Sequence, residues 1–147
     1  MLPDPASLAD LSERRCGVVA LLGVPNAGKS TLVNALVGEK VAIVSPKVQT
    51  TRTRLTGIAI EGTAQLLLVD TPGIFTPRRR LDRMMLQNAW EGAADADLLL
   101  LLIDAARGLD DDSRQLLESL ATREAPRFLV LNRVDVADKG RLLALAQ

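Results

Sequence analysis

The sequence predicts a doubly wound α/β domain, built on a mostly parallel sheet with one antiparallel hairpin strand. Two observations indicate this fold class. Short apolar runs alternate along the chain with segments of helical periodicity, as they do when helices connect parallel strands. Aspartate-containing polar segments follow several of these runs, and ligands of doubly wound folds bind at the carboxyl ends of the strands.

Five apolar runs are predicted to be strands. The first is apolar throughout, which is typical of a central parallel strand that is covered on both faces. The second and third are separated only by Glu61-Gly62-Thr63, a spacing that suits an antiparallel hairpin. The predicted strands are residues 16–23, 55–60, 65–69, 98–103 and 127–131.

Helices are predicted between these strands. The first begins at Lys29, carries apolar residues at helical spacing, and has Gly38 as its natural C-terminal stop. Asp82 is predicted to cap a second helix that runs to about Gly92. The acidic residues 110–112 suit the positive N-terminal end of a third helix.

The predicted domain covers residues 16–147. Residues 1–15 are polar and contain prolines, so we expect a flexible leader there. Residues 39–54 show no clean periodicity and are expected to form a long loop. A fourth helix is predicted from Asp138 to the end of the sequence.

Composition excludes several classes of function. The 147 residues include 18 basic and 18 acidic side chains, so net charge gives no argument for nucleic-acid binding by this chain. Histidine is absent, which excludes histidine-based acid–base chemistry, and the single cysteine, Cys16, excludes an internal disulfide and fits a reducing compartment. No secretory signal is recognisable, and the longest dense apolar run, residues 98–103, is far too short to span a membrane.

A phosphate-binding loop of the pattern G-x-x-x-x-G-K-S/T follows the first strand. Its glycines let successive backbone N–H groups point at phosphate oxygens, and the helix that begins at Lys29 directs its positive end at the same anion. Lys29 is expected to reach the β and γ phosphates, and the Ser30 hydroxyl to bind Mg²⁺. The predicted nucleotide-binding residues of this loop are Gly23, Asn26, Ala27, Gly28, Lys29, Ser30 and Thr31.

The second constellation, Asp70-Thr71-Pro72-Gly73, ends the third predicted strand. Asp70 is expected to hold Mg²⁺ through a water molecule, opposite Ser30. Gly73 lets a backbone N–H approach a γ-phosphate without a side chain in the way. The segment after Gly73 is therefore expected to sense whether that phosphate is present.

The third constellation, Asn132-Arg133-Val134-Asp135, ends the fifth predicted strand. Guanine presents two adjacent donors, N1–H and the 2-amino group, and the Asp135 carboxylate can accept both. Adenine lacks this donor pair, so a buried Asp135 would discriminate against ATP on the order of 10³-fold. Asn132 is expected to brace the phosphate loop and to contact the base.

With these motifs in this order, the chain resembles the translation-factor-related GTPases, and among them the Era-type bacterial ribosome-assembly GTPases. The resemblance covers roughly residues 16–147, and its most Era-like part is residues 40–52. It rests on residues 23–31, 40–52, 70–73 and 132–135. It implies a P-loop NTPase fold of the Ras-like G-domain type, GTP and GDP as ligands with Mg²⁺, and slow hydrolysis of GTP to GDP and phosphate.

The resemblance also implies partners and a location. Era-type GTPases act in assembly of the small ribosomal subunit and bind 16S rRNA through a C-terminal K-homology domain. That domain, the last strand and the last guanine loop of the family are absent from these 147 residues, so we expect an incomplete GTPase domain. The resemblance implies a cytoplasmic protein, and peripheral association with the inner face of the cell membrane is kept as a second location.

Two residues depart from what related enzymes use. The family has lysine where this chain has Arg133, whose planar head does not reproduce the lysine's contacts, so we expect guanine preference with altered affinity. Ile74 stands where Ras-type enzymes place a water-orienting glutamine, and it cannot orient water.

Catalysis is therefore expected to depend on the mobile loops, on Mg²⁺ and on a cation. By resemblance, Thr51, with Thr50 as second choice, completes the Mg²⁺ shell, and Asn26 helps to hold a K⁺ that offsets phosphate charge. The metal ligands are thus expected to be Ser30, Thr51 and Asp70. The catalytic residues are expected to be Lys29, Thr51 and Gly73.

Other functions remain open at this point. The chain can be a guanine-nucleotide-binding module with negligible turnover, because Ile74 supplies no chemistry. It can also be another Era-like GTPase, of the tRNA-modification or the double-domain ribosome-assembly type. An ATPase or a P-loop kinase is disfavoured by Asp135 and by the absence of an evident acceptor site.

Overall fold

The fold is given by a computed structural model that describes residues 14–38, 55–74 and 80–147. Predictions for the leader up to residue 13 and for the whole 39–54 loop, including Thr50 and Thr51, lie outside the described residues. The rest of the chain forms one five-stranded sheet with helices on both faces. The predicted fold class is confirmed.

All five predicted strands are present, each within one or two residues of its expected ends. The spatial order is β2-β3-β1-β4-β5. Strands β3, β1, β4 and β5 pair in parallel, and β2 pairs with β3 antiparallel through a two-residue turn, as the hairpin spacing predicts. The strands are β1 (Arg15–Leu22), β2 (Leu55–Glu61), β3 (Ala64–Asp70), β4 (Leu98–Asp104) and β5 (Arg127–Asn132).

The helices begin and end close to their predicted positions, except at the start of the second helix. Gly38 closes the first helix in the left-handed conformation, at φ 84°. Asp110 and Asp138 cap the third and fourth helices by accepting backbone N–H groups of Ser113 and Arg141. The helices are α1 (Lys29–Val37), α2 (Arg80–Ala94), α3 (Asp111–Ala121) and α4 (Lys139–Ala146), with a 3₁₀ turn at Val134–Val136.

The predicted start of α2 is wrong, and its predicted end at about Gly92 is two residues short. The helix includes Arg80, so Asp82 is its third residue and not its cap. The helix also continues through Gly92 to Ala94, because Ala89 and Ala93 are both buried in the core one turn apart. Burial of this apolar face overrides the helix-breaking tendency of the glycine.

The alternating faces of β1 explain its continuous apolarity. Ala20 and Leu22 lie in a cluster with buried residues of β4, α2 and α3, whereas Val19 and Leu21 pack on the other face with Val33 of α1. Since both faces of the strand are covered, neither needs polar side chains.

The carboxyl ends of the four parallel strands lie at one edge of the sheet. The segments that follow β1, β3, β4 and β5 therefore gather there, and they contain all three predicted constellations. Across the described ranges 14–38, 55–74 and 80–147, no helix combines the length and apolarity that a membrane crossing needs.

Candidate functional site

The loop between β1 and α1 has the backbone shape of an anion cradle. Asn26 and Gly28 adopt positive φ values of 63° and 101°, which fold the chain back immediately before the first helical residue, Lys29. Gly28 has no side chain with which to cap α1, so the N–H groups of the first turn are directed toward the loop without a competing cap. Such a helix start suits phosphate oxygens.

The glycines of this loop are required by close neighbours. A Cβ atom on Gly23 would lie 2.7 Å from the carbonyl oxygen of Leu102 on β4. A Cβ atom on Gly28 would overlap the amide nitrogen of the Asn132 side chain, which lies at the end of β5. The loop is thus packed directly against the two neighbouring strand ends.

The Lys29 side chain is buried within the phosphate-binding loop. Its Nζ donates hydrogen bonds to the carbonyl oxygens of Gly23 and Val24, both at 3.0 Å, and only 6% of the residue is exposed. Burial lowers the pKa of the Lys29 ammonium from 10.5 to about 8, and the nearby negative charge of Asp70 offsets part of that shift.

Ser30 and Asp70 meet beneath the loop. The Ser30 hydroxyl donates a hydrogen bond of 2.6 Å to Oδ2 of Asp70, and both residues are buried. A hydroxyl and a carboxylate are oxygen donors of the kind that Mg²⁺ prefers. Across the described residues no three acidic, cysteine or histidine side chains group into a metal site.

The segment after Asp70 is tied to the phosphate loop. The Thr71 hydroxyl donates to the carbonyl oxygen of Leu21 at 2.6 Å, and the Ile74 N–H donates to the carbonyl oxygen of Gly23 at 3.0 Å. The Ile74 side chain is buried in the core between the sheet and α2, with 6% of the residue exposed. An apolar side chain packed in the core supplies no group that could orient an attacking water.

Replacing Gly73 with alanine is expected to destabilise the fold by about 1–3 kcal/mol, because the close approach of Pro25 leaves no room for a methyl group. The new Cβ atom would lie 2.7 Å from the backbone nitrogen of Pro25 and 2.8 Å from its Cα. Urea unfolding measures the difference. Gly17→Ala is the matched control, since its nearest neighbour would be at 3.8 Å; equal stabilities of the two variants would contradict the packing argument.

The turn after β5 contacts the phosphate loop through Asn132. Its side-chain amide donates a hydrogen bond of 2.9 Å to the carbonyl oxygen of Ala27, so the brace expected of Asn132 is present. Contact of Asn132 with a base stays a prediction. Asp135 lies in the following 3₁₀ turn and is exposed, in contrast to the buried carboxylate considered in the sequence analysis. Any desolvation of Asp135 would thus have to come from the bound base.

Arg133 is held by a residue that the sequence analysis did not select. Its guanidinium NH1 lies 2.9 Å from Oδ2 of Asp104, the last residue of β4, which is only 3% exposed. In the sequence, Asp104 stands out only because it directly follows the apolar run 98–103. Its position at the carboxyl end of a central strand is the one signal that could have indicated its place in the site.

The structure thus brings most of the predicted site residues to one edge of the sheet. Hydrogen bonds join Lys29, Ser30 and Asp70 to the loop, and Asn132 to Ala27. Thr31 and Asn26 lie on the loop with exposed side chains. Thr51 lies outside the described residues.

Comparison with known proteins gives matches over most of the chain. A family model described as 50S ribosome-binding GTPase matches residues 18–133. The GTPase Era of Afipia carboxidovorans is 56% identical over 146 residues, which are 99% of this chain and 47% of that protein.

Two solved structures of Era have similar folds. One, in complex with MgGDPNP and nucleotides 1506–1542 of 16S ribosomal RNA, superposes with a TM-score of 0.83 at 36% identity, covering 91% of this chain and 46% of that one. An Era variant from Aquifex aeolicus bound to GDP·AlF4⁻ superposes with a TM-score of 0.81 at 37% identity, covering 89% and 45%. The chain therefore spans less than half the length of these relatives.

Proposed function

Because the chain belongs to the 50S ribosome-binding GTPase family, we propose that it binds GTP and GDP with Mg²⁺ and hydrolyses GTP slowly, as an Era-type molecular switch. The observation that carries the proposal is the hydrogen bond from Asn132 to Ala27, which joins the candidate base-binding turn to the candidate phosphate loop at one edge of the sheet. A nucleotide can contact the turn and the loop at the same time only if the distance between them is no greater than the length of the nucleotide.

The phosphates would be bound by the loop and by the first turn of α1. The N–H groups of residues 26–31 supply donors, and the Lys29 ammonium supplies a charge that is already desolvated. Ser30 and Asp70 would hold Mg²⁺, together with Thr51 by resemblance. When bound, that ion would offset the negative charge of the phosphate oxygens.

The base would be read by the turn after β5. The Asp135 carboxylate accepts only, so it matches the N1–H and 2-amino donors of guanine and has no such partners on adenine. Asn132 would hold the turn against the phosphate loop while the base binds. Adenine nucleotides should therefore bind less tightly, which disfavours an ATPase or kinase function.

Catalysis would depend on Lys29, Thr51 and Gly73 and not on a water-orienting side chain at Ile74. The burial of Ile74 in the core supports this assignment. Gly73 would bring its backbone N–H to the γ-phosphate, and the contact of the Ile74 N–H with Gly23 links that segment to the loop. A GTPase built in this way is expected to be slow.

Turnover under excess GTP separates the proposed switch from a binding module. The switch predicts release of more than one equivalent of phosphate for each protein molecule, and the Lys29→Met variant serves as the background. Tight binding of GDP with less than one equivalent released would favour the alternative, a guanine-nucleotide-binding module with negligible turnover.

Potassium is proposed as a second cation near Asn26. This residue is exposed on the loop at a positive φ of 63°. We expect faster phosphate release in KCl than in NaCl at equal ionic strength, and we expect Asn26→Ala to remove the difference. Equal rates of the unmodified protein in both salts would contradict the proposal.

The ribosomal role is proposed from the relatives. One solved Era structure contains a 16S ribosomal RNA fragment, and this chain covers 46% of that protein. We propose 16S rRNA and the small ribosomal subunit as partners of a longer protein of which this domain is a part. Era is favoured over the tRNA-modification and double-domain types because the relative of 56% identity is an Era GTPase. A cytoplasmic location, and peripheral membrane association as the second location, are supported by the resemblance alone.

A further inference from the structure

Asp104 is a buried carboxylate that the proposed function does not use. It ends β4, next to the turn that follows β5, and only 3% of the residue is exposed. Its Oδ1 accepts backbone N–H groups of Ala106 at 3.0 Å and Arg107 at 3.3 Å, and its Oδ2 lies 2.9 Å from NH1 of Arg133. One side chain thus joins the β4–α3 turn to the residue before the 3₁₀ turn.

Arg133 has a backbone conformation that needs support. Its φ is 59°, in the left-handed region that residues with a Cβ atom seldom adopt. The turn is held on one side by the backbone hydrogen bond from Ala105 to Asn132, at 2.9 Å, and on the other by the ion pair with Asp104. The next residues, Val134–Val136, carry Asp135.

The two partners of this ion pair differ in burial. A buried carboxylate requires partners, and the Arg133 guanidinium supplies the positive charge while two backbone N–H groups supply the remaining hydrogen bonds. The Arg133 side chain remains 53% exposed, so the pair anchors one end of the arginine without burying it. Asp104 is therefore the fixed partner of the ion pair, and it holds the guanidinium group of Arg133 in place.

We propose that Asp104 is a positioning residue for guanine recognition: through its ion pair with Arg133 it holds the turn that presents the Asp135 carboxylate to the base. This inference rests on the proposed guanine-nucleotide function. It assigns to Asp104 the orientation of the base-reading turn and no contact with the nucleotide. The ion pair with Asp104 also gives Arg133 a structural role at the position where the family has lysine.

The test uses three ligands that separate base recognition from phosphate binding. Inosine diphosphate lacks the 2-amino group of GDP, and inorganic tripolyphosphate has no base. In the unmodified chain we expect GDP to bind at least about tenfold more tightly than inosine diphosphate, because the amino group adds one hydrogen bond to a charged acceptor. The Asp104→Asn variant keeps the size of the side chain and removes its charge.

In Asp104→Asn, the preference for GDP over inosine diphosphate should shrink to about threefold or less, while tripolyphosphate binds as before. General loosening of the fold would weaken all three ligands together and would overturn the proposal. An unchanged preference in the folded variant would overturn it as well. Asp111→Asn, at the exposed first position of α3, is the control for loss of one negative charge.

Arg133→Gln tests the pair from its other end. If Asp104 acts through Arg133, this variant should lose the same preference, and the double variant should lose no more than either single one. Additive losses would contradict action as a unit. A chain that binds GDP and ADP equally well before any substitution would instead overturn the proposed function, so that failure is distinguishable from failure of the role of Asp104.

Discussion

Replacing Asp135 with asparagine is expected to reverse the preference of this protein from GDP to xanthosine diphosphate. The carboxylate accepts both the N1–H and the 2-amino group of guanine, whereas the asparagine amide donates where guanine also donates. Xanthine carries an oxygen at C2, which accepts from that amide. The variant therefore pairs with xanthine as the unmodified residue pairs with guanine.

The expected size of this change follows from the exposure of Asp135. Since the side chain is exposed and is desolvated only by the base, each mismatched ligand should lose about 10- to 100-fold in affinity. The two changes together alter the ratio of GDP to xanthosine diphosphate affinity by about 10³-fold. Competition against a fluorescent GDP measures both, with Asp111→Asn as the charge-matched control. If Asp135→Asn gains nothing for xanthine, Asp135 does not read the base.

Replacing Lys29 with methionine is expected to weaken GDP binding on the order of 10²-fold, because the ammonium is the buried cation nearest the predicted phosphate position. Methionine retains the unbranched stem and removes only the charge. Lys139→Met, at an exposed position at the start of α4, is the control. Equal GDP affinities of the two variants would contradict the assignment of Lys29.

Lys29 should also affect how the free energy of unfolding depends on pH. Burial lowers the pKa of Lys29 to about 8 in the folded chain, against 10.5 for an exposed lysine. Between these values the unfolded chain holds the proton and the folded chain does not, so stability rises with pH. The gain from this group is about 3 kcal/mol over that interval, and below pH 8 the full cost of the buried charge is present.

Urea unfolding of the two chains between pH 7 and 10.5 measures this gain. The difference in unfolding free energy between the unmodified chain and Lys29→Met should rise across that range, because contributions from other groups cancel. In the unmodified chain, GDP affinity should fall about tenfold per pH unit above 8, since binding must restore the proton. Parallel stability curves for the two chains would contradict a lowered pKa of Lys29.

Local patterns were sufficient to predict most of the fold. The continuous apolarity of β1 and the short spacing around Gly62 depend on neighbours along the chain, and the predicted strand and antiparallel hairpin are both confirmed. The helix starts at residues 110–112 and at Asp138 were predicted from nearby residues and are confirmed, and the structure adds that Asp110 and Asp138 cap them by accepting the N–H groups of Ser113 and Arg141. Periodicity, turn length and caps are all encoded within a few residues.

Features that depend on tertiary contacts could not be predicted in this way. The extension of α2 past Gly92 follows from the burial of Ala93 against a distant strand. The ion pair between Asp104 and Arg133 joins residues 29 positions apart, and no motif around Asp104 indicates the pairing. The exposure of Asp135 likewise depends on how the turn after β5 lies against the rest of the site.

The candidate site was predicted as a set of motifs, and its internal contacts came from the structure. The motifs predicted that Asp70 lies opposite Ser30, and the two side chains meet at 2.6 Å. The burial of Lys29 and the contact of Gly73 with Pro25 depend on the path of the loop in space. Close contacts of this kind leave no room for a Cβ atom at Gly23, Gly28 or Gly73.

The most direct test of the central claim is competition for a bound fluorescent GDP by unlabelled GTP and ATP, with circular dichroism to confirm that the chain is folded. We predict that GTP displaces the label at concentrations where ATP does not, because Asp135 accepts the donors of guanine and adenine has none to offer. Equal displacement by GTP and ATP would contradict the account and would leave a phosphate-binding loop without selectivity for the base.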